Sequence, residues 1–464
     1  MILASRISNA GKRLFAKDGD NLNDRIIIPL WAIGSFLVLM NTTMFNVALP
    51  TIIHELHISA GEGSWIVSGY SIVFALSTVI FSRLSDYVSI RKLLFVGLTL
   101  LGAASVMGFF AHSFGILMAA RLVQASGAGA VPGLGIVLAS RYVPFERRGR
   151  AITIIASGSS LAFALGPVIG GVITQFMGWN GLFLITSLVI PLVPVLWRLL
   201  PQEIHTEFNF DIPGAALTAI VVVSILISVM QLSIWFLLLS FGALVANIWH
   251  LRKVKNPFVP PNLFHHHGYR KLLVVSFCAF ILNMSMIFML PLLLADWFHM
   301  SAGTVGLMMC PGSLLAALLI RKVGRWIDQY GNYRFLIIGH FFLAASMILM
   351  TLLVQVSPYI VMIGYIIFAP ALSTVLSALS NEVSRILAKD QIGSGMGLSQ
   401  LSQFFGGSLA VAVCGVLISW QTNKPLITGF QNIYLLLIVV LLGSISILIW
   451  YGKRAHKGEI NIQV

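Results

Sequence analysis

Few residues of this chain are equipped for chemistry, and the first is a cation in an apolar setting. Arg121 lies inside Arg121-Leu-Val-Gln124-Ala-Ser-Gly127-Ala-Gly129, an apolar run with no acid of its own. In hydrocarbon an arginine costs on the order of 3 kcal/mol or more unless water or a partner on another helix meets it. Amides in other apolar runs are candidates to share that polar space. Asn41 and Asn46 fall in Leu39-Met-Asn-Thr-Thr-Met-Phe-Asn-Val-Ala-Leu-Pro50, and Gln400 and Gln403 lie beside Gly393, Gly395, Gly397, Gly406 and Gly407. Asn41, Asn46, Arg121, Gln124, Gln400 and Gln403 are therefore expected along a substrate or proton pathway, with hydrogen bonding between helices as the alternative role.

A second set of charged groups is duplicated. Ser82-Arg83-Leu-Ser-Asp86-Tyr-Val-Ser-Ile-Arg91-Lys92 frames one carboxylate with three cations between two apolar runs, and Gly324-Arg325-Trp-Ile-Asp328-Gln-Tyr-Gly331-Asn-Tyr-Arg334, 242 residues on and again between apolar runs, frames one with two. Cations favour the carbonyl end of a helix and carboxylates the amide end, so such a turn can latch one side of a protein shut. Arg83, Asp86, Arg91, Lys92, Arg325, Asp328 and Arg334 are the gating candidates. No convergent catalytic group accompanies them: the close histidines are His54 with His57 and a loop run from His265 to His267. An enzyme is not expected, and no catalytic residue is assigned. The loop histidines read as solvated rather than as a metal site. Cys278, Cys310 and Cys414 are odd in number and read as small core residues rather than a disulfide or zinc framework. No phosphate-binding glycine loop is present, so no cofactor is expected.

These groups must be positioned by helices in a membrane. Of 464 residues, 58% are hydrophobic and 9% charged, and the mean hydropathy is +0.93; too few charges remain to coat a soluble globule of this size. Apolar runs long enough to span the hydrocarbon core begin near Ile26, Ser64, Leu93, Phe114, Ala151, Gly181, Pro213, Ile234, Leu272, Ala302, Phe335, Tyr359, Gly393 and Tyr434, which predicts fourteen spans. Met1 to Arg25 is polar and basic, and the first span is too long for a cleavable signal. The net charge of +14 raises the question of nucleic acid, but its distribution answers it. With a cytoplasmic N-terminus, every Lys and Arg except Arg121 and Lys424 falls on the cytoplasmic side, the positive-inside pattern. Both termini are then cytoplasmic, and the partner is the lipid bilayer, not nucleic acid.

The repeated turns divide the chain. Residues 1–25 form a cytoplasmic segment, 26–200 a first six-helix half, 201–270 a linker with two inserted helices, 271–451 a second six-helix half and 452–464 a cytoplasmic tail. Parallel repeats of this kind are built around a binding site near mid-membrane. Between Ala151 and Ile173 runs Gly158-Ser-Ser-Leu-Ala-Phe-Ala-Leu-Gly166-Pro167-Val-Ile-Gly170-Gly171. In water each glycine would cost such a helix roughly 1 kcal/mol. In lipid, small residues four apart let a neighbour approach closely, and Pro167 frees a carbonyl and favours a bend. A glycine face beside a bend suits a helix against which another rocks; a static, tightly packed pair is the alternative.

These residues resemble the signature set of the major facilitator superfamily, and more closely its fourteen-span drug:proton antiporter branch. The turn at 85–92 resembles that superfamily's loop between helices two and three, Arg121 with Gln124 its fourth-helix basic motif, Gly158 to Gly171 its antiporter motif in helix five, and Asn41 to Pro50 its first-helix motif. The turn at 85–94, Asn-Pro-Phe at 256–258 and Pro311-Gly312 look most like the Gram-positive tetracycline efflux proteins. The resemblance implies a monomer in a bacterial plasma membrane that works by alternating access. Asp86 and its cations would gate the cytoplasmic side, the fifth helix would open and seal the cavity, and Arg121 would relay protons. Protons flowing inward would drive a small hydrophobic or amphipathic compound outward, as in multidrug efflux and antibiotic resistance.

The chain departs from those relatives in one respect. None of its fifteen acids lies deep in an expected span: the first-helix motif has Asn41-Thr42, the helix before Gly166 has Ala164-Leu165, and the thirteenth span has Phe405-Gly406. Asp86, Asp296, Asp328 and Glu382 near helix ends, with His340, are the titratable groups left for proton coupling. A cavity with Arg121 and no carboxylate favours a neutral or anionic passenger over a cation. Export or flipping of a lipid or lipid-linked precursor without tight proton coupling is the alternative function.

Overall fold

A computed structural model describes residues 24–143, 145–201, 210–254, 257–258, 261–387, 391–421 and 425–455. The segment before residue 24, the tail beyond 455, Asn256 and Lys424 lie outside the described residues, as do the surroundings of Gly393 and the side chains of Ala164 and Asp328. Every regular element among the described residues is helical, because a backbone in hydrocarbon must satisfy its own N–H and C=O groups. The first half comprises α1 (Asp24–Leu56), α2 (Ala60–Leu84), α3 (Ile90–Phe109), α4 (Phe114–Ala128), α5 (Ala130–Tyr142), α6 (Phe145–Met177), α7 (Gly181–Ser187) and α8 (Leu192–Leu199). The inserted pair is α9 (Ile212–Gln231) and α10 (Ile234–Leu251). The second half comprises α11 (His267–Asp296), α12 (Ala302–Tyr330), α13 (Asn332–Leu353), α14 (Pro358–Ile386), α15 (Ile392–Trp420) and α16 (Leu426–Ala455).

Thirteen stretches among the described residues are long and apolar enough to cross a membrane, counting α4 with α5 and α7 with α8 as one each. The fourteenth expected span coincides with α6, whose apolar part, Leu161–Met177, is shorter. Glu146, Arg147, Arg148 and Arg150 fall in the first six positions of α6, so an uncharged stretch begins only at Ala151. Two expected single helices are interrupted. The α4–α5 break falls at Gly129, where a Cβ would collide with Ser77 and Thr78 of α2. The α7–α8 break lies at residues 188–191, just before a proline-containing last turn. By contrast α6 continues through Pro167 without a break.

Within the halves, α1 packs on α6, α11 on α15 and α13 on α14, while the halves meet each other along α6–α12 and α2–α15. The chain alternates between the end carrying its termini and the opposite end, so the two seams can be followed along their length. At the end opposite the termini they are tight. The Gly61 N–H donates to Ser419 Oγ at 3.1 Å, Ser301 Oγ donates to Gln175 Oε1 at 3.3 Å, and His54 Nε2 lies 3.2 Å from Asp296 Oδ1. Backbone contact makes this possible: a methyl on Gly171 would strike the Ala302 carbonyl, and one on Gly306 the Pro167 carbonyl.

The glycine stripe of α6 is therefore divided in its duty. Gly158, Gly166 and Gly170 seat α1 of the same half, against Ala32, Thr43 and Met44, and Gly171 alone among the four faces the other half. The inserted pair lies along the other seam, where Val222 and Leu226 of α9 pack with Ile72 and Leu76 of α2 and Leu401 of α15. Trp235, Phe241 and Trp249 of α10 point outward as a lipid-facing surface would. Replacing Gly171 by Val overpacks a backbone contact and is expected to cost roughly 1–3 kcal/mol. The thermal midpoint in detergent should fall, whereas Gly242→Val, facing open space, should leave it unchanged.

Candidate functional site

At mid-height between the halves is a cavity of about 180 Å³. The first half supplies Thr43 of α1 with Phe163 and Pro167 of α6. The second half supplies most of the wall, including Phe280 and Asn283 of α11, Ser313 of α12, and Tyr365 and Phe368 of α14. None of the described residues lining it carries a formal charge. Ser313 Oγ lies 3.1 Å from Tyr365 Oη, and the Tyr365 and Phe368 rings stack with centroids 6.4 Å apart. Towards the end that carries the termini a second space of about 320 Å³ separates α2 and α5 from α15, lined by Ser82, Arg83, Asp86 and Gln400 among others. The halves are thus closed at one end and parted at the other.

Arg121 does not line either space. It is 1% exposed and held wholly within the first half. Its Nη1 donates to Asn41 Oδ1 at 2.6 Å and to Gln124 Oε1 at 3.0 Å, and Gln124 Nε2 in turn donates to Ser105 Oγ at 2.8 Å. The guanidinium is sandwiched between Phe45 at 3.9 Å and Tyr70 at 3.8 Å. Two desolvated cation–π contacts and two charge-assisted hydrogen bonds contribute on the order of 7–10 kcal/mol. That lies between the low and high costs of a mid-membrane arginine, about 3 and about 10–17 kcal/mol. A partner on another helix, rather than cavity water, meets this cation.

The other amides are likewise turned inward. Asn46 Nδ2 bonds the Thr42 carbonyl on its own helix at 2.7 Å, and Gln403 Nε2 bonds Ser276 Oγ across to α11 at 2.6 Å. Of the six pathway residues expected from the sequence, only Gln400 lines a described space, and Asn41, Asn46, Arg121, Gln124 and Gln403 are placed in helix-to-helix or local contacts. Each lies on a helix face that sequence periodicity could not orient, because the spans are apolar all round. From the same first-helix patch it is Thr43 that reaches the cavity.

The charged turn is held by a residue the sequence reading passed over. Among the described residues Asp86 pairs with Arg141 of α5 at 2.8 Å, and Arg141 Nη1 also donates to the Ser85 carbonyl at 2.7 Å. Arg83 donates to the Phe258 carbonyl of the linker at 3.4 Å, Arg91 stacks on Trp197 at 4.2 Å, and Lys92 is exposed. In the second half Arg325 and Arg334 are exposed. There the corresponding clamp is Glu382 of α14, which accepts from Asn332 Nδ2 and from Tyr451 Oη at 2.5 Å each. The same helix of each half grips the turn, with opposite charge. His340 is spent on the Leu336 carbonyl and Ser444, and His266 caps α11 by accepting the Tyr269 N–H.

The inserted pair is fastened to this turn. Asp211 caps α9 through the Gly214 N–H at 2.9 Å, accepts the Phe258 N–H at 2.9 Å and lies 2.6 Å from His250 Nε2 at the end of α10. Burial alone would push its carboxyl up, but His250 and the two backbone N–H groups outweigh burial and hold it below the usual range.

A set of helices long and apolar enough to cross a membrane, enclosing a mid-height cavity, defines a polytopic membrane protein. The chain belongs to the Major Facilitator Superfamily, whose family model matches residues 31–411 and 272–462. It is 26% identical over 405 residues to the riboflavin transporter RibZ of Clostridioides difficile (strain 630), covering 83% of this chain and 89% of that one. It is 23% identical over 401 residues to the multidrug resistance protein Stp of Mycobacterium tuberculosis (strain CDC 1551 / Oshkosh), covering 84% and 75%. In fold it is similar to a bacterial homologue of the human lysosomal transporter Spinster in an inward-facing, unoccupied conformation, with a TM-score of 0.68 at 13% identity, covering 94% and 98%. A peptide transporter POT in complex with alafosfalin gives 0.68 at 15% identity, covering 92% and 94%. The chain is thus a multi-pass membrane transport protein.

Two tests follow from this geometry. Arg121→Lys keeps the charge but loses the flat face that Phe45 and Tyr70 enclose, and should destabilise the protein by roughly 1–3 kcal/mol in a detergent melt; a lysine variant as stable as the parent would remove the stack from the account. The Asp211 clasp should hold fully above about pH 5 and loosen as pH falls through the carboxyl's lowered pKa. Limited proteolysis of the 252–266 connector should show that acid dependence in the parent and not in Asp211→Asn.

Proposed function

We propose that this protein is a secondary active exporter of small amphipathic compounds across a bacterial plasma membrane, working by alternating access and driven by protons moving inward. The observation that carries the reading is the uncharged cavity at mid-height, sealed on one side by backbone contact between the halves and parted on the other. The riboflavin transporter and the multidrug resistance protein among its relatives support a cargo of that size and polarity. The end carrying the termini is cytoplasmic, as the positive-inside pattern argues, and α6 counts as the fourteenth span.

In this scheme the seams α6–α12 and α2–α15 are the surfaces on which the halves rock. The turn clamped by Asp86 and Arg141 closes the cytoplasmic side when the outer seam opens. Among the described residues, His54 with Asp296 is the one ion pair that joins the two halves. It stands at the outer face, where an incoming proton would arrive, and losing the Asp296 charge by substitution would weaken the outer closure. One proton moving down 100 mV releases about 2.3 kcal/mol, on the order of a fifty-fold concentration ratio for the cargo.

The test is transport in everted vesicles holding a pH-sensitive dye and an acidic lumen. Neutral amphipathic compounds should dissipate the gradient, permanent cations should not, and Asp296→Asn should abolish the response. If no compound dissipates the gradient while fluorescent lipid crosses liposomes containing the protein, antiport is excluded and lipid translocation takes its place.

A further inference from the structure

Two polar side chains lining the cavity, Asn283 and Ser373, bond to no described residue, and only Asn283 presents both a donor and an acceptor. Asn283 of α11 is 9% exposed and lines the cavity, yet its carboxamide makes no hydrogen bond to any described residue. Its polar neighbours there are mostly committed: Thr43 Oγ1 to the Met40 carbonyl at 3.1 Å, and Ser313 to Tyr365. Its amide opens onto the cavity instead of being sealed in the packing, so both its donor and its acceptor are available to an occupant. An amide left open at the mid-height cavity between the two halves is a feature that a ligand completes.

The internal repeat shows why this amide is free. His54 and Asp296 are 242 residues apart, the interval that also separates Asp86 from Asp328 and Asn41 from Asn283. Asn41-Thr-Thr-Met44 in α1 and Asn283-Met-Ser-Met286 in α11 are copies of one helix position. In the first half that asparagine is consumed by Arg121. At the same interval from Arg121 the second half has Ile363, an apolar residue 48% exposed rather than a buried cation. The duplicated amide therefore has no cation to bind and faces the cavity instead.

We propose that Asn283 is the cargo-reading residue, and that the cargo it selects is a neutral, planar aromatic compound with a lactam, imide or carboxamide edge. This rests on the transporter reading above and names its substrate class. The carboxamide presents a donor and an acceptor side by side, and a cyclic amide edge returns the complementary pair. Phe163, Phe280, Tyr365 and Phe368 supply flat apolar walls, which favour an aromatic body. No charged side chain among the described residues lining the cavity offsets a charge on the cargo, so an ion would forfeit its hydration without a partner.

Three probes of one ring size separate these elements: 2-quinolone, which has the lactam edge; N-methyl-2-quinolone, which has lost the N–H; and N-methylquinolinium, a permanent cation. Titration calorimetry on the purified full-length protein should give binding of 2-quinolone ten-fold or more tighter than either of the others. Asn283→Ala should weaken 2-quinolone by ten-fold or more and leave N-methyl-2-quinolone within two-fold, so that the two neutral probes become equal. A merely structural asparagine would weaken both alike, and that outcome overturns the proposal, as does a cation bound as tightly as the lactam. Asn283→Asp is the second variant: it should reverse the order in favour of N-methylquinolinium, and an unchanged order counts against the proposal. Calorimetry needs no gradient, so the expected probe order with no transport in vesicles would refute the exporter reading alone. Transport that is intact and indifferent to Asn283 would refute this inference alone.

Discussion

The constraint on which everything else rests is that lipid offers no hydrogen bonds. Backbones must close on themselves as helices, and those helices gain nothing from hiding apolar surface, because lipid is equally apolar. Their association must come from close contact and from polar groups that find each other. Both devices are visible here. Gly158, Gly166, Gly170 and Gly171 bring α6 onto α1 and α12 at backbone distance, and Arg121 draws Asn41 and Gln124 together with Phe45 and Tyr70 around a single charge.

The Arg121 cluster explains how a cation is retained without a carboxylate. Two ring faces cover the flat sides of the guanidinium and two amide oxygens meet one edge, so the charge is spread over four neutral partners rather than cancelled by one anion. Such a cluster ties α1, α2 and α4 into one body, which a rocking half requires. These carboxylates lie at the ends of the molecule: Asp86 with Arg141 and Glu382 with Asn332 at one end, Asp296 with His54 at the other. The centre is left for an uncharged cargo.

The two halves treat corresponding positions differently. The same turn is clamped by a cation in one half and by a carboxylate in the other. The same asparagine serves the fold in α1 and opens into the cavity in α11. The inserted pair adds a further difference, because α9 lies along one seam and its Asp211 clasp reaches, through Phe258, to Arg83 beside the Asp86 turn. A transporter whose two halves carry different polar residues can keep one half as scaffold and let the other read the cargo.

Membrane residence, the helical class and the superfamily were legible in the sequence, because each depends on features summed over twenty residues or on motifs at fixed intervals. Apolar length and a duplicated turn survive any rotation of a helix about its axis. Residue roles do not. The spans are apolar on all faces, so hydrophobic periodicity could not tell whether Asn41 or Thr43 faced the cavity, nor that Asn46 bonds its own helix. Arg141 was hidden because its partner Asp86 lies 55 residues away, across a contact no local pattern records. Asn283 was within reach, since the interval that relates Asp86 to Asp328 also relates Asn41 to it. What the sequence by itself determined was the number and nature of the parts. Only the tertiary structure decided which face each part turns to the cavity, because helix rotation is set by side chains packing between segments far apart in the chain.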